Sequence, residues 1–167
     1  IYPKPENEVE RLKALKEYSV LDSLPEKEYD AITQLASYIC GTPIALVSLI
    51  DDQRQWLKST VGIDVTETSR EDSFCQYTIM GDSVFEVSNT LENENFADSP
   101  FVTGSANIRF YAGAPLKDAN GFNLGSLCVI DTKPKILTEE QKNALQLLAG
   151  QVVLLLRCSK PKCNIQV

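Results

Sequence analysis

The chain contains no histidine among its 167 residues. Without an imidazole group, Ser-His and Cys-His nucleophilic mechanisms are excluded, and so are haem with an axial histidine and zinc sites that include histidine. Any catalysis would have to use cysteine or carboxylate groups, and any metal would need Cys, Asp or Glu ligands. We predict no catalytic residue and no metal site.

Long apolar runs and clusters of basic residues are also missing. No apolar stretch approaches the roughly 20 residues that span a bilayer, and the N-terminal sequence IYPKPENEVERLK lacks the apolar region of a signal peptide. We therefore expect a cytoplasmic protein without membrane contact, and the first residue, Ile1, indicates a fragment of a longer chain. The formal net charge of −7 repels phosphate backbones, which argues against a nucleic-acid partner.

The cysteines form no Cys-x-x-Cys pair, and their number, 5, is odd. They are Cys40, Cys75, Cys128, Cys158 and Cys163. We expect reduced thiols, because this pattern matches neither a disulfide framework nor a redox motif. Cys40 and Cys128 lie inside apolar runs, where cysteine is usually a small buried hydrophobe.

The segment 109–131, RFYAGAPLKDANGFNLGSLCVID, predicts two strands joined by a tight turn at Asn120-Gly121, since such turns need residues that accept positive φ. Both strands are apolar or small on both faces, which is typical of the centre of a sheet. Several small residues remove side-chain volume from this hairpin: Ala112, Gly113, Ala114, Gly125 and Ser126. Either a closely packed helix or a small molecule must fill the space.

Helices are predicted towards both ends of the chain. The first covers residues 7–18, with a narrow apolar stripe that favours contact with a partner helix. This stripe consists of Val9, Leu12, Leu15 and Tyr18. The second runs from a Ser23–Glu26 capping box to about Cys40, where Gly41 ends it. Its expected buried residues are Tyr29, Ile32, Leu35, Ala36 and Ile39.

The remaining segments alternate between short elements and polar stretches. Strands are predicted over 43–51, 55–61 and 84–87, and a short helix capped by Ser73 over 73–80. We expect irregular loops over 62–72 and 89–104. Thr138 caps a last helix. Its apolar stripe consists of Leu145, Leu148, Val152 and Leu155. Because hairpins join most of the strands, this order predicts an antiparallel α+β sheet.

Three blocks of the sequence resemble a known family. They are residues 10–82, then FADSPFVTG, then IRFYAGAPLKDANGFNLGSLCVIDTKP. In order and spacing they are similar to the GAF domain found at the N-terminus of many bacterial signalling proteins, of the sensor kinase or cyclase type. The resemblance covers about residues 10–156. It implies a GAF/PAS-like α+β fold, with a central six-stranded antiparallel sheet and helices packed on it.

The resemblance also implies a domain organisation and a way of signalling. Residues 1–22 would be an N-terminal helix and connection, 23–157 the GAF domain, and 158–167 a tail or truncated linker. Loops and a short helix would cover a ligand pocket on one face of the sheet. The terminal helices would pair in a homodimer and continue into an effector domain, such as a histidine kinase or a diguanylate cyclase.

The sequence departs from the family members whose cofactor can be recognised. GAF domains that attach a bilin use a cysteine with an adjacent histidine, whereas Cys75 is followed by Gln76. The nearest match to the NKFDE-type motif of the cyclic-nucleotide class, residues 95–98, does not fit it. Haem held by histidine is excluded as well. The expected ligand is therefore an unknown small molecule, and the cofactor stays unknown.

Several residues are candidates for contact with that ligand: Arg109, Tyr111, Trp56, Phe74, Cys75, Phe96, Phe101 and Ser126. The aromatic residues could line an apolar pocket with Arg109, Ser48 and Ser126 as its few polar groups, or they could form plain core. The Arg109 guanidinium could bind a carboxylate or phosphate. An ion pair with Asp51, Asp72 or Asp98 that pins a loop to the sheet is the commoner use of such an arginine.

Cys75 follows Phe74 near the start of the predicted short helix. A thiol at such a position can have a lowered pKa, which suits a redox sensor or a nucleophile. Packing beside Phe74 is the commoner role of a lone cysteine.

Three functions fit these residues. The first is a non-catalytic sensory module, in which a ligand between the sheet and the loops shifts residues 89–104 and biases the pairing of the terminal helices. The second is a dimerisation module without a ligand. The third is a thiol-dependent enzyme resembling the GAF-fold free methionine sulfoxide reductases. It requires Cys75 and Cys128 to approach each other or a third thiol, and no cysteine pair here is spaced like that family's.

Overall fold

A computed structural model of the chain describes residues 3–160. It contains six strands: β1 (Ile44–Ile50), β2 (Arg54–Val61), β3 (Glu67–Ser69), β4 (Phe85–Val87), β5 (Phe110–Lys117) and β6 (Asn123–Asp131). They form one sheet in the order β3-β2-β1-β6-β5-β4, and every neighbouring pair is antiparallel. The α+β fold with a six-stranded antiparallel sheet is therefore confirmed.

The helices divide between the two faces of the sheet. They are α1 (Glu8–Glu17), α2 (Lys27–Cys40), α3 (Cys75–Thr78), α4 (Pro100–Thr103) and α5 (Glu139–Ser159), with a 3-10 turn at Thr90–Glu92. The long helices α1, α2 and α5 cover one side, the helical face. The short helices α3 and α4 and the segments around them cover the other side, the loop face.

Alternation along the strands sends side chains to two separate core clusters. On β5, Phe110, Ala112, Ala114 and Leu116 join the cluster on the helical face, whereas Tyr111 joins the cluster on the loop face. This split follows from the period of two residues in a strand. Helix α5 packs directly on β5, so a helix fills the space above the two alanines.

The two hairpin glycines leave room for atoms of neighbouring residues. A Cβ atom at Gly113 would collide with the Tyr111 hydroxyl and would lie 2.9 Å from Thr78 Oγ1. A Cβ atom at Gly125 would collide with the carbonyl oxygen of Ser48 on the adjacent strand. The side-chain volume missing from the hairpin is thus filled by protein atoms.

The hairpin turn differs from the prediction. Only Gly121 has a positive φ, of 85°, and Asn120 does not. The Asp118 carboxylate accepts hydrogen bonds from the backbone amides of Asn120 and Phe122, at 3.0 and 2.9 Å. An aspartate side chain therefore shapes the turn, and a single glycine supplies the positive φ.

Helix starts were predicted with mixed success. Thr138 caps α5 in a capping box with Gln141, as expected. The Ser23–Glu26 capping box is wrong, because α2 begins at Lys27 and the Ser23 hydroxyl donates to the carbonyl of Val20 at 2.5 Å.

The start of the short helix α3 also differs from the prediction. The Ser73 hydroxyl donates to the carbonyl of Arg70 at 2.8 Å, and Phe74 occupies the N-cap position without a side-chain cap. Residues 62–72 are also more ordered than predicted, since Glu67–Ser69 pairs with β2 as an edge strand.

Burial on the helices differs from the predicted stripes. Leu35 and Ile39 of α2 are 48% and 40% exposed, whereas Tyr29 and Ala36 are buried as expected. Of the predicted stripe on the first helix, Leu15 in α1 and Tyr18 just after it pack in the core of the domain, whereas Val9 is 78% exposed. The first helix therefore uses its apolar residues mainly within the chain. On α5 the buried set is Leu145, Ala149, Val152, Val153 and Leu156.

Two parts of the predicted terminal segments are not covered by the structure. Residues 1–2 and 161–167 lie outside the described residues. Cys158 and Ser159, which the prediction assigned to a tail, belong to the last turn of α5. The Ser159 hydroxyl donates to the carbonyl of Tyr18 at 2.9 Å, so the end of α5 contacts the end of α1.

Helix α1 is joined to the sheet by a buried ion cluster. The Glu8 carboxylate accepts hydrogen bonds from Arg11 Nε at 3.0 Å and from Arg70 Nη1 at 2.5 Å, and both arginines are fully buried. The guanidinium groups also donate to the carbonyls of Ile50 and Asp51. Burial raises the pKa of Glu8, but the two arginines lower it further, to about 2 from 4.5. Glu8 is therefore charged and holds α1 in place.

Candidate functional site

A cavity of about 350 Å³ lies on the loop face of the sheet. Its floor comes from β1, β2, β5 and β6, and its cover comes from residues 62–68, 73–75 and 101–108. It is lined by Ile44, Leu46, Gln55, Leu57, Gly62, Ile63, Val65, Thr68, Ser73, Phe74, Cys75, Phe101, Ala106, Ile108, Tyr111, Cys128 and Ile130. The volume lies within the range of sites for small molecules.

The cavity wall is mainly apolar and carries no charged side chain within the part of the chain that the structure describes. Its polar groups belong to Gln55, Thr68, Ser73 and Tyr111, together with two thiols. Gln55 is already engaged, because its amide donates to Thr68 Oγ1 at 2.9 Å and its oxygen accepts from Ser48 at 2.8 Å. Since burying a charge without a partner is costly, this wall suits an uncharged ligand.

The cavity connects the protein surface with the sheet. Gly62, Val65 and Ala106 on its lining are exposed, with Val65 at 42%. Cys75 and Cys128 on the same lining are buried. The lining therefore runs from exposed residues at the surface to the two buried cysteines.

Four of the predicted ligand-contact residues line this cavity: Phe74, Cys75, Phe101 and Tyr111. Two more lie just outside the lining. The Ser126 hydroxyl donates to Cys75 Sγ at 3.1 Å. The Phe96 ring packs edge-on against Phe74, with centroids 4.7 Å apart. The structure thus brings most of the predicted set together on the loop face.

Trp56 and Arg109 are placed differently. Trp56 packs in the core cluster of the helical face, because side chains alternate along β2 and its neighbours Gln55 and Leu57 line the cavity. Arg109 donates to the carbonyls of Val102 and Ile108 at 2.9 and 3.0 Å and does not line the cavity. It ties α4 to the start of β5, with carbonyl groups in place of the expected carboxylates.

A thiol and hydroxyl cluster lies at the buried part of the cavity. The sulfur atoms of Cys75 and Cys128 are 3.8 Å apart. The Tyr111 hydroxyl donates to Cys75 Sγ at 3.2 Å and also shares a hydrogen bond of 2.7 Å with Thr78. With Ser126 on its other side, Cys75 Sγ has two hydroxyl donors and one thiol around it.

This cluster gives its two thiols different acidities. Burial raises the pKa of Cys75, but hydrogen bonds from Cys128, Ser126 and Tyr111 lower it further, to about 7 from 9.0. Burial raises the pKa of Cys128 well above 9.0, and the neighbouring Cys75 raises it again. The pKa of Tyr111 is raised for the same two reasons. Cys75 therefore ionises first, and the thiolate is the reactive form of cysteine.

Several residues of the site were not predicted. Cys128, Leu46 and Ile130 follow from the alternation of β1 and β6 once the face of Tyr111 is known. Ile63 and Val65 were missed because they lie in a polar segment without periodicity. Two apolar residues in an otherwise polar segment were the pattern that could have identified them as part of the cavity lining.

Residues 3–160 offer neither a cluster of metal ligands nor a membrane span. No group of three or more Cys, Asp or Glu side chains there could hold a metal ion. No helix in the same range is both long and apolar enough to cross a bilayer.

Comparison with known families decides the assignment of the fold. The sequence model of the GAF domain matches residues 25–156. The chain belongs to the GAF domain family. A cyclic di-GMP phosphodiesterase of Pseudomonas aeruginosa is 45% identical to this GAF domain over 133 residues, which cover 80% of this chain and 23% of that protein. The chain thus spans less than a quarter of the length of this relative.

Solved structures share the fold at low sequence identity. The GAF domain of an Acinetobacter phosphoenolpyruvate-protein phosphotransferase superposes with a TM-score of 0.69 at 16% identity, over 98% of this chain and 100% of that one. A type II free methionine-R-sulfoxide reductase of Thermoplasma acidophilum gives 0.65 at 14% identity, over 89% and 99%. At these identities the likeness concerns the fold alone.

Proposed function

We propose that this GAF domain is a non-catalytic sensory module that binds a small, uncharged and mainly apolar molecule in the loop-face cavity. One observation carries the proposal: an apolar cavity of about 350 Å³ has exposed residues on one part of its lining and buried residues on another. Sites for small molecules typically combine such an apolar wall with a few polar groups.

The cover of the cavity supplies a route for the signal. Residues 62–75 line the cavity and contain Arg70, which holds Glu8 of α1. Arg109 joins the other covering segment, at Val102, to the sheet. A ligand that binds one arrangement of these segments more tightly than another shifts the population, and with it the position of α1.

We also propose that this domain is part of a longer protein. The match covers only 23% of the Pseudomonas relative, so most of that protein lies outside the matched region. This supports a regulatory role for the present domain beside an effector domain. We propose an effector that acts on cyclic di-GMP, in preference to a histidine kinase or a diguanylate cyclase. The domain would work in the cytoplasm as a homodimer that pairs through its terminal helices.

Native mass spectrometry of the chain purified from cells tests ligand binding. We expect the wild-type chain to retain a small molecule and Ile63→Trp to lose it, because the indole would fill part of the cavity that Ile63 lines. Ile136→Trp is the matched control, since it places the same side chain on an exposed position outside the cavity. The proposal is wrong if the wild-type chain carries no small molecule, or if both variants retain it equally.

A second candidate function is a methionine sulfoxide reductase: the contact of 3.8 Å between the sulfur atoms of Cys75 and Cys128 favours it, but it ranks second because the described lining offers no charged partner to the ammonium and carboxylate of free methionine sulfoxide. Such an enzyme would reduce free methionine sulfoxide at the expense of thiols. Turnover of methionine sulfoxide with a dithiol reductant, abolished in Cys75→Ser, would establish this function. Absence of turnover at high enzyme concentration would exclude it.

A further inference from the structure

The proposed binding role makes no use of the two thiols in the buried part of the cavity. We propose that Cys75 and Cys128 form a redox pair that a small organic hydroperoxide converts into a disulfide inside the cavity. This site is additional to reversible ligand binding and does not depend on it.

The two sulfur atoms are already in contact. They lie 3.8 Å apart, and a disulfide bond is about 2.05 Å long, so the sulfurs need to approach by less than about 2 Å. Cys40, which is also buried, packs in the cluster on the opposite face of the sheet. Cys158 is exposed at the end of α5. Among the cysteines that the structure describes, only Cys75 and Cys128 are in contact with each other.

The surroundings divide the roles between the two cysteines. Cys75 Sγ accepts hydrogen bonds from the Tyr111 and Ser126 hydroxyls, and such donors stabilise a thiolate. The pKa of Cys75 is lowered and that of Cys128 is raised, which agrees with this geometry. Cys75 is therefore the attacking thiolate, and Cys128 is the thiol that resolves the product.

The cavity determines the class of oxidant. Both cysteines line it, its wall is apolar, and no charged side chain on the described lining would bind a charged oxidant. Oxidised glutathione carries several charges and would have to leave them buried without partners. An alkyl or aryl hydroperoxide is uncharged and gains from burying its apolar part in such a wall.

The reaction balances with the hydroperoxide as the only oxidant. The Cys75 thiolate attacks the terminal peroxide oxygen, the O–O bond breaks, and the alkoxide leaves as an alcohol after taking the proton lost by Cys75. This leaves a sulfenic acid on Cys75. The Cys128 sulfur then attacks the Cys75 sulfur, the S–O bond breaks, and water leaves with the Cys128 proton. The hydroperoxide is reduced by two electrons, and the two thiols are oxidised to one disulfide.

The disulfide would link the cavity to the helices. Cys75 is the first residue of α3 and follows the segment whose Arg70 holds Glu8 of α1. Cys128 is fixed in the centre of the sheet, between β1 and β5. A bond between them moves the start of α3 towards β6, because the sheet is the more rigid partner.

Thiol mapping on the full chain tests the proposal. The reduced protein is exposed to cumene hydroperoxide, hydrogen peroxide, oxidised glutathione or methionine sulfoxide, then denatured, alkylated and digested for mass spectrometry. We expect a linked Cys75–Cys128 peptide that forms about tenfold faster with cumene hydroperoxide than with hydrogen peroxide, because the ring buries apolar surface in the cavity. Exposed Cys158 is the internal reference for intrinsic oxidant reactivity.

Two variants separate the steps. Cys128→Ser should stop after the first step, so that dimedone labels a sulfenic acid on Cys75. Cys75→Ser should give neither the label nor the linked peptide, and its unfolding curve checks that it is folded. Tyr111→Phe should slow the first step while the linked peptide still forms.

Three results would overturn the inference: Cys75 and Cys128 stay free while Cys158 is oxidised, dimedone labels Cys128 first, or only methionine sulfoxide links the pair. The last result would support the reductase function instead. Native mass spectrometry of the Cys75→Ser and Cys128→Ser double variant isolates ligand binding. A retained small molecule there, with no disulfide in the wild-type chain, would leave the binding function intact and refute the redox pair.

Discussion

The Tyr111 hydroxyl lies in the space that a side chain at position 113 would take. From there it bonds to Thr78 on one side and donates to Cys75 Sγ on the other. Gly113 is therefore required by the position of a neighbouring hydroxyl group, not by its own backbone. Gly113 thus makes room for the hydrogen bonds around Cys75.

Gly113→Ala should lower the free energy of unfolding by about 1–3 kcal/mol, the usual cost of inserting an atom into a packed core. Combined with Tyr111→Phe, which removes the colliding oxygen, the substitution should cost less than the sum of the two single variants. Urea unfolding of all four proteins measures this coupling. If the effects of the two single substitutions on the free energy of unfolding simply add, the contact between the Tyr111 hydroxyl and position 113 is contradicted.

Gly150→Ala should stabilise the chain by about 0.5–1 kcal/mol, because glycine inside a helix costs conformational entropy. Gly150 lies within α5, is exposed, and has no atom within 4 Å of a Cβ built on it. The midpoint temperature of thermal unfolding should therefore rise. Because Gly150 lies between Leu147 and Leu154 on α5, the comparison is made at low protein concentration, where the proposed homodimer dissociates, and a loss of stability there would contradict the prediction.

Glu8→Gln should destabilise the chain by about 3 kcal/mol at pH 7, because it leaves two buried guanidinium groups without their carboxylate. The pKa of Glu8 is depressed in the folded chain, to about 2 from 4.5. Its contribution is therefore complete above about pH 4.5 and is lost as the pH falls towards 2. Urea unfolding of the wild-type chain and of Glu8→Gln at pH 7, 4 and 3 should show that the difference between their free energies of unfolding becomes smaller as the pH falls. A difference in the free energy of unfolding that does not change with pH would contradict the role of the ion cluster.

The sequence predicts correctly those features that a single local pattern determines. Phe110 and Tyr111 lie on opposite faces of β5, as the two-residue period of a strand predicts, and Thr138 caps the start of α5 as its sequence predicts. Local patterns do not predict the position of a side chain that depends on contacts between distant elements. Trp56 was assigned to the pocket by its chemistry alone, although its place in β2 relative to Gln55 sends it to the other face.

The thiol pair shows a second limit of the same kind. Cys75 and Cys128 are separated by 53 residues, and only the packing of α3 on β6 brings them together. The same holds for Arg70, whose partner Glu8 lies 62 residues away. Contacts between distant segments carry no local pattern, so the sequence predicted the elements and left these pairings open.

On the terminal helix α5, exposed apolar side chains are candidates for contact with a second copy of the chain in the proposed homodimer, together with exposed apolar side chains on the adjacent helix α2. Leu35, Tyr38 and Ile39 lie on α2, and Leu147 and Leu154 lie two turns apart on α5, which packs beside α2. Leu154→Lys should weaken self-association by at least about tenfold in the dimer Kd, because it places a charge in an apolar interface.

Sedimentation equilibrium at micromolar concentrations measures this effect. Leu91→Lys is the matched control, since it changes the same type of side chain, 55% exposed, in the 3-10 turn outside α2 and α5. A monomeric wild-type chain, or equal weakening by both variants, would contradict a dimer through these helices.

The central claim is that the loop-face cavity is an open site for uncharged apolar molecules. Methyl NMR of the labelled chain in benzene-saturated buffer tests it directly, because apolar cavities bind benzene. We predict shifts for the methyl groups of Leu46, Leu57 and Ile130 and none for Leu145 and Val152 on the helical face. Unchanged spectra, or shifts confined to the helical face, would contradict the claim.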